Sequence, residues 1–503
     1  MRAIIGNNLK KNFHFLLQFT FFLPLRLKNG NNQPNYSLKS IAMKKTVLMM
    51  AALMLGSMAF AQTEKTQAVD QYGNTVDVKK LETSSRDGIL VFESKEKDFK
   101  FWFDSRVQVD FGAYFGQQVW ADPIGNGASI RRARFAVKTQ ITKDWYGEVD
   151  MELANGSFEL KDAVVRYNGL KNWQFTVGSM KPDFTMSRNT SSRYLMFMER
   201  PMVINAFAPS RHLGVFAKYT NKYFFGSASV LFQEIEGQET RDYVEANNKD
   251  YGMDEGLSYV GKIVVRPLNE PDYGIHIGGA VMYDAPKTSD ETGVYSGTRF
   301  SCRNTTNISR KKYIDTDDIK NTHHNLIATA ELAGHYNGLR LESAWVSDWT
   351  YMKPEVGIDK PYHFQGWYVE GACLLLGGKQ SYDSDGAKFN RVRTGRSWGD
   401  IELVAKYEFL DMNDYQGRGD QAIYGGSAEL FGAGLNFYFG KNVKIALNYQ
   451  YVNNDRYANG KGKLNVGLDA EGNPTKDFTK VTAADGKAGV NYHMLLARFQ
   501  VAF

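Results

Sequence analysis

The sequence predicts an all-β fold, a sixteen-stranded antiparallel transmembrane β-barrel occupying 99–503 of the 503 residues. Three observations predict it. Long segments alternate apolar and polar residues with a period of two. The connections between those segments are by turns short and long, as the two rims of an outer-membrane barrel require. The segments also exceed the ~5–6 residues of a soluble strand, and their apolar faces end in aromatics such as Trp145, Trp173, Phe499 and Phe503. A soluble β-sandwich also alternates, but not with these lengths or girdles.

The chain opens on two segments outside the barrel. Residues 43–61 read as a secretory signal peptide. Met43-Lys44-Lys45 is the basic start, Val47 to Phe60 the apolar run, and Ala59-Phe60-Ala61 a small-x-small cleavage site before Gln62. No cysteine follows the cut, which disfavours a lipoprotein. Residues 1–42 are basic and free of Asp and Glu. They read as an over-extended start upstream of Met43, or as the first part of a two-part leader. Residues 62–98 are polar and charged, and read as an exposed N-terminal periplasmic segment. Beyond the leader no run approaches the ~18 apolar residues of a spanning helix.

In the first barrel strand, Phe99, Phe101, Phe103, Val107, Val109, Phe111 and Phe115 share one face. Lys100, Asp104, Arg106, Gln108 and Asp110 share the other. The same alternation gives strands near 99–115, 128–141, 145–154, 159–168, 173–180, 213–221, 224–233, 258–266, 273–285, 326–336, 339–352, 363–376, 400–411, 424–439, 443–453 and 490–503. Short connections include 142–144, 168–172, 221–222, 337–338 and 440–442; long ones include 181–212, 234–257, 286–325 and 454–489. One exception, the Gly- and Arg-rich stretch 377–399, falls on the short-turn side.

The long connection 181–212 departs most from an ordinary loop, whose median length is about 4–6 residues. It carries Lys181, Arg188, Arg193, Arg200 and Arg211 against Asp183 and Glu199, with Ser191, Ser192 and the apolar Phe184, Leu195, Phe197 and Phe207. A solvated loop needs no such apolar residues. This one is expected to fold inward and line a narrowing with cationic donors.

Composition bounds the rest. Residues 1–61 hold eight Lys or Arg and no acid, so the chain's 61 basic residues less those eight leave 53 against 55 acidic, a net −2. A generally basic, nucleic-acid-binding surface is therefore not expected. Cys302 and Cys373 fall in a loop and a strand respectively, and suggest neither a disulfide framework nor a metal site. The eight histidines are scattered apart from His323-His324, and no nucleophile elbow or phosphate-cradling glycine loop precedes a helix. No cofactor is implied.

Several ordered motifs then carry a resemblance. Ser129-Ile130-Arg131-Arg132-Ala133-Arg134-Phe135, Leu160-Lys161-Asp162-Ala163, Thr190-Ser191-Ser192-Arg193-Tyr194-Leu195, Phe197-Met198-Glu199-Arg200 and Asn205-Ala206-Phe207-Ala208-Pro209 resemble the phosphate-selective porin O/P family. The likeness runs from about 87 to 503 and is strongest over 106–214. It implies a trimeric outer-membrane porin whose third long loop constricts the pore around a central anion site. Carried over by position, that site is Arg106, Arg131, Arg132, Asp162, Arg188, Ser191, Ser192, Arg193 and Arg200. Arg188 and Arg193 stand where lysine is expected, which keeps the charge but exchanges a compact ammonium for a planar fork.

Parity agrees for Arg106, Asp162, Arg132, Arg134 and Lys138, which belong on the lumen face with the loop's Lys181. Arg131 has the opposite parity, so either a bulge turns it inward or the carry-over fails there. Bland alternatives stand beside each group. Lumen arginines can be solvated wall balanced by Glu148, Asp150 and Glu152; Glu199-Arg200 can be a structural ion pair; Ser191 and Ser192 can be turn residues.

The reading that follows is a passive anion-selective channel in the bacterial outer membrane, a homotrimer in contact with outer-membrane lipid, passing inorganic phosphate or related oxyanions. A general or cation- and sugar-permeable porin is the alternative, favoured by the net −2 and the acidic third strand. An outer-membrane hydrolase with a Ser/His pair is a third. Arg193 stands first for selectivity, so Arg193→Glu is expected to cut anion preference, with Lys100→Glu near the rim as control.

Overall fold

The computed structural model describes residues 67–116, 123–234, 256–286, 297–482 and 488–503. The expected leader and signal peptide lie outside the described residues. Two units are distinguished, divided after Lys79. The described part of the first is a small hairpin, Gln67–Val69 against Thr75–Asp77. The second is the barrel.

Sixteen strands close it: β1 Lys100–Phe115, β2 Gly127–Gln140, β3 Trp145–Glu152, β4 Glu159–Tyr167, β5 Trp173–Met180, β6 His212–Thr220, β7 Phe224–Glu234 and β8 Ser258–Asn269. There follow β9 Tyr273–Asp284, β10 Thr322–Tyr336, β11 Leu339–Met352, β12 Tyr362–Leu374, β13 Gly399–Asp414, β14 Ile423–Phe439, β15 Val443–Asn454 and β16 Asn491–Ala502. Each pairs antiparallel with its chain neighbours, and β16 returns to β1 through Phe499↔Val109 and Ala497↔Phe111. All sixteen expected strands are present with small shifts at their ends. The barrel does begin earlier than 99. Leu81–Arg86 and Ile89–Ser94 form a hairpin annealed to the start of β1, Val91 opposite Trp102 and Phe92 opposite Phe101. The short apolar run 89–92 is what makes that edge worth pairing.

Alternation sorts the faces. Val107, Phe111 and Phe115 of β1, Val165 of β4, Val177 of β5 and Val215 of β6 are exposed on the outer wall. Aromatic pairs ring the short-turn rim, Trp145 with Tyr167 at 5.0 Å and Trp173 with Tyr219 at 5.2 Å between ring centroids. Others ring the long-loop rim, where His324 stacks between Tyr283 (4.9 Å) and Tyr351 (4.5 Å). This is the apolar band with aromatic girdles of a membrane barrel.

Of the barrel's register shifts, two fall on the β1–β4 wall. On β2 the pairing slips between Gln108↔Arg132 and Val109↔Ile130, making Arg131 the extra residue. On β4 it slips between Val149↔Ala163 and Met151↔Leu160, setting Lys161 and Asp162 together opposite Asp150. A bulge re-aims side chains beside a functional site. Here each one turns consecutive charged residues toward the lumen.

The lumen is not an open tube. Segment 181–211 enters it and contains two short helices, α1 Met186–Asn189 and α2 Met202–Phe207. Its Phe184, Met198, Met202, Val203, Ile204 and Phe207 form one core with Val346 of β11, Phe364 and Tyr368 of β12, Leu410 of β13 and Val452 of β15. Phe300, Cys302, Tyr313 and Ile314, from the loop after β9, join the same core. Each such burial contributes about 1.5–3 kcal/mol, which is why the apolar loop goes in. Cys302 is buried and both cysteines are free.

From the other rim, 375–398 also turns inward. Tyr382–Asp383 pairs with Lys388–Phe389 in an inner hairpin, and Phe389 packs on Met186 and Ala333. This segment passes under the two-residue turn Asn337-Gly338. Asn337 has φ 49°, and a Cβ on Gly338 would meet the Gly378 carbonyl at 3.1 Å. With the β8–β16 side filled, open space remains along β1–β6.

Candidate anion site

That space is a cavity of about 580 Å³ between β1–β4 and the inward loop. All twelve residues anticipated from the sequence line it: Arg106, Arg131, Arg132, Arg134, Lys138, Asp162, Lys181, Arg188, Ser191, Ser192, Arg193 and Arg200. Its described lining holds fourteen Lys or Arg against eight Asp or Glu, so a wall dense in both signs carries an excess of six cations.

The β2 bulge settles the parity of Arg131. Its guanidinium reaches Glu199 of the loop through Nε at 2.7 Å and Nη2 at 3.0 Å. Arg498 of β16 meets the same carboxylate at 2.9 Å while gripping Asp110 at 2.6 and 2.7 Å; Arg132 lies 3.8 Å away and donates to Gln108. Burial alone would raise the carboxyl, but Arg131, Arg132 and Arg498 hold Glu199 well below the usual carboxylate range. Glu199 thus stays ionised and anchors the loop. The Glu199–Arg200 ion pair that stood as the alternative reading does not form. The two side chains leave the loop in different directions, and Arg200 donates to the carbonyls of Ser187 (2.7 Å) and Thr190 (2.6 Å).

Along the wall, cations and carboxylates interlock. Arg193 is ion-paired with Asp104, which also meets Lys138 at 3.0 Å. Lys138 reaches Glu148 at 3.2 Å, and Arg134 meets Glu152 at 2.8 Å and Asp150 at 3.5 Å. Asp162 receives a bidentate fork from Arg211 at 2.9 and 3.0 Å, tying the loop's end to β4.

Other cations of the lining are held by neutral groups. Arg106, buried on β1, donates to the hydroxyls of Ser192 at 2.9 Å and Ser191 at 3.2 Å, with its nearest carboxylate, Asp150, 3.9 Å away. Lys181 donates to the Arg188 carbonyl at 2.9 Å, and Arg200 to the two carbonyls above. Arg188 itself donates to the Pro209 carbonyl. The serines are therefore more than turn residues, because they complete a donor cluster around the Arg106 guanidinium. Charge-assisted donors and hydroxyls converging in this way suit an oxyanion.

Lys181 gives the site a pH signature. Burial, then Arg200, Arg188 and Arg211, push its ammonium well below the usual lysine range. A depressed folded pKa means that the charge is lost early as pH rises. Anion preference is therefore expected to decline below the ordinary lysine value of about 10.4, and Lys181→Met to abolish the decline. Reversal potentials measured across the alkaline range check this, and a profile flat up to that value would contradict it.

Residues that sequence reasoning did not place in the site include Asp104, Lys161, Arg166, Asn307, Arg310 and Lys388. Asn307 and Arg310 come from the loop after β9 and Lys388 from the inner hairpin, elements whose inward course leaves no local sequence signal.

A closed sixteen-strand barrel with an apolar outer band, aromatic girdles and a loop constricting the lumen defines a porin of the bacterial outer membrane. The model of the phosphate-selective porin O and P family matches residues 101–473, and the chain belongs to that family. Among curated proteins it is 23% identical to Porin O of Pseudomonas aeruginosa over 443 residues, covering 82% of this chain and 93% of that protein. It is 26% identical over 374 residues to an uncharacterized protein of Caulobacter vibrioides, covering 71% and 69%. A solved structure, the anion-selective porin from Comamonas acidovorans, aligns with a TM-score of 0.47 at 9% identity, covering 81% of this chain and all of that one.

Proposed function

We propose that this porin is a passive anion-selective channel for phosphate or related oxyanions, with Arg106, Ser191, Ser192, Lys181 and Arg200 as its central anion site. The observation that carries the reading is the cavity's six-cation excess, with three of those cations held by neutral hydroxyls and carbonyls. The whole-chain net of −2 after the leader does not decide selectivity. Surface charges are screened within about 8–10 Å, while charges at a narrow, low-dielectric point are not. The carboxylates interleaved with the arginines keep binding weak enough for release, as conduction requires.

The acidic row Asp104, Glu148, Asp150 and Glu152 favours a second reading, a channel permeable to cations or neutral solutes. Reversal potentials in a planar bilayer under a potassium chloride gradient separate the two. Anion preference with chloride current blocked by added phosphate is the expected result; cation preference, or current indifferent to phosphate, would sink it.

A homotrimer fits the barrel's uneven wall. β3 and β5 have eight residues and β4 and β6 nine, against sixteen and seventeen in β13 and β14. A spanning strand needs about 9–11, so the low wall with exposed Val165, Val177 and Val215 is better covered by other copies than by lipid. In the same reading the short-turn rim, with the C-terminal end of β16, faces the periplasm.

A further inference from the structure

The filled side of the lumen holds the constricting loop by two like devices. In the first, Glu331 of β10 accepts the backbone N–H of Met186 at 2.6 Å, and Lys262 of β8 lies 2.6 Å from that carboxylate. In the second, Glu408 of β13 accepts the backbone N–H of Met202 at 2.6 Å, with Lys406 of the same strand at 2.5 Å. Both lysines and both glutamates are buried. Met186 and Met202 are the first residues of α1 and α2, so each limb of the loop is seized where its short helix starts. The first device reaches further. His276 meets the Glu331 carboxylate through Nε2 at 2.9 Å, and because a carboxylate only accepts, that nitrogen carries the proton. Nδ1 then accepts from the Tyr382 hydroxyl of the inner hairpin at 2.7 Å.

A buried carboxylate paired with lysine is weak evidence of stability, since well-packed apolar residues often serve as well. Two such pairs, each spending a lone pair on an otherwise unsatisfied loop N–H, call for another explanation. From this geometry we infer that Glu331 and Glu408 are positioning residues, a pair of Lys-backed hooks that fix both limbs of the loop and so set the bore and anion grip of the site on its other face. The loop's tip is held separately, by Lys444 on the Leu195 carbonyl, Asn436 on that of Met196 and Arg498 on that of Met198. Loss of the hooks therefore loosens the limbs without expelling the loop. The consequence for anion grip rests on the anion-channel reading; the consequence for bore does not.

The test deletes the donors and leaves the wall intact. Proline is tolerated at a helix's first residue, where it lacks only the N–H. The preceding residues, Thr185 (ψ 158°) and Pro201 (ψ 149°), already have the extended backbone that proline demands of its predecessor. Met186→Pro and Met202→Pro are compared with Met186→Ala and Met202→Ala, which lose the same side chain but keep the N–H. Single-channel recording is expected to show larger, noisier conductance and a several-fold weaker phosphate block in the proline variants than in their alanine partners. Proline and alanine variants behaving alike would overturn the inference.

A second set approaches from the wall. Replacing Lys262 with Met and Glu331 with Leu together should reproduce the proline phenotype. Lys262→Met with Glu331→Gln, whose amide oxygen still accepts the N–H, should restore the wild-type bore. Glu370→Gln, in the same buried wall but with no hydrogen bond to the loop, should leave bore and block unchanged; if it mimics the hook variants, wall charge and not hooking is responsible. A cation-selective channel that nonetheless widens on hook removal would sink the anion reading and keep the hooks. An anion channel unmoved by hook removal would do the reverse.

Discussion

Arg106→Gln is expected to cost the channel more phosphate block than any other single neutralisation in the cavity, by roughly an order of magnitude, about 1.4 kcal/mol. The reason lies in what each guanidinium is already doing. Arg131 is bidentate to Glu199 and Arg211 to Asp162, and Arg193 is closed on Asp104. Their forks are committed to carboxylates, and an anion must displace one to use them. Arg106 is held by two hydroxyls, with Asp150 no nearer than 3.9 Å, so an incoming oxyanion can share or replace the hydroxyls without displacing a closely bound carboxylate. Arg193→Gln should therefore lose less block, even though Arg193 stands at the centre of the loop motif. Lys100→Gln, on β1 with its ammonium over the Trp102 ring and outside the cavity, should lose none. Equal losses in all three would mean that selectivity belongs to the whole lumen field.

That ranking could not have been drawn from the sequence. Adjacency to Ser191 and Ser192 put Arg193 first there, yet the hydroxyls serve Arg106, 85 and 86 residues earlier in the chain. What the sequence did carry was everything periodic. Sixteen strands, their order and the odd 377–399 segment were legible because alternation and turn chemistry are local. Arg131 was not, because a bulge is one unpaired residue that alternation does not encode, and the charged residues on either side tolerate both faces. The same holds for Lys161 beside Asp162. The inner hairpin and the loop after β9 were equally silent. Their apolar residues, Phe389, Phe300 and Ile314, are few and scattered, and only the volume left inside a closed barrel brings them together. The charged residues of β8, β10 and β13 matched a polar lumen face in pattern, and gave no hint that a loop would cover them.

Glu199→Gln separates charge from position at the site. Counting charge alone, the substitution raises the cation excess of the cavity by one and should strengthen anion preference. The geometry says otherwise. Three arginines converge on Glu199 from β2 and β16, and the fork from Arg131 is the direct tie between the loop and the β2 bulge. Removing one partner of a buried charge cluster typically costs about 3–5 kcal/mol, because the remaining charges lose compensation. The barrel's own hydrogen-bonded wall is untouched, so assembly should survive. Without the carboxylate, Arg131, Arg132 and Arg498 repel one another and the segment bearing Ser191, Ser192 and Arg200 loses its seat. Expected is a channel that still prefers anions in a salt gradient but has lost most of its phosphate block and conducts with more noise. Adding Arg131→Gln, which relieves the repulsion, should recover part of the block. A Glu199→Gln channel with tighter block than wild type would show that the site is a field and not a fitted cluster.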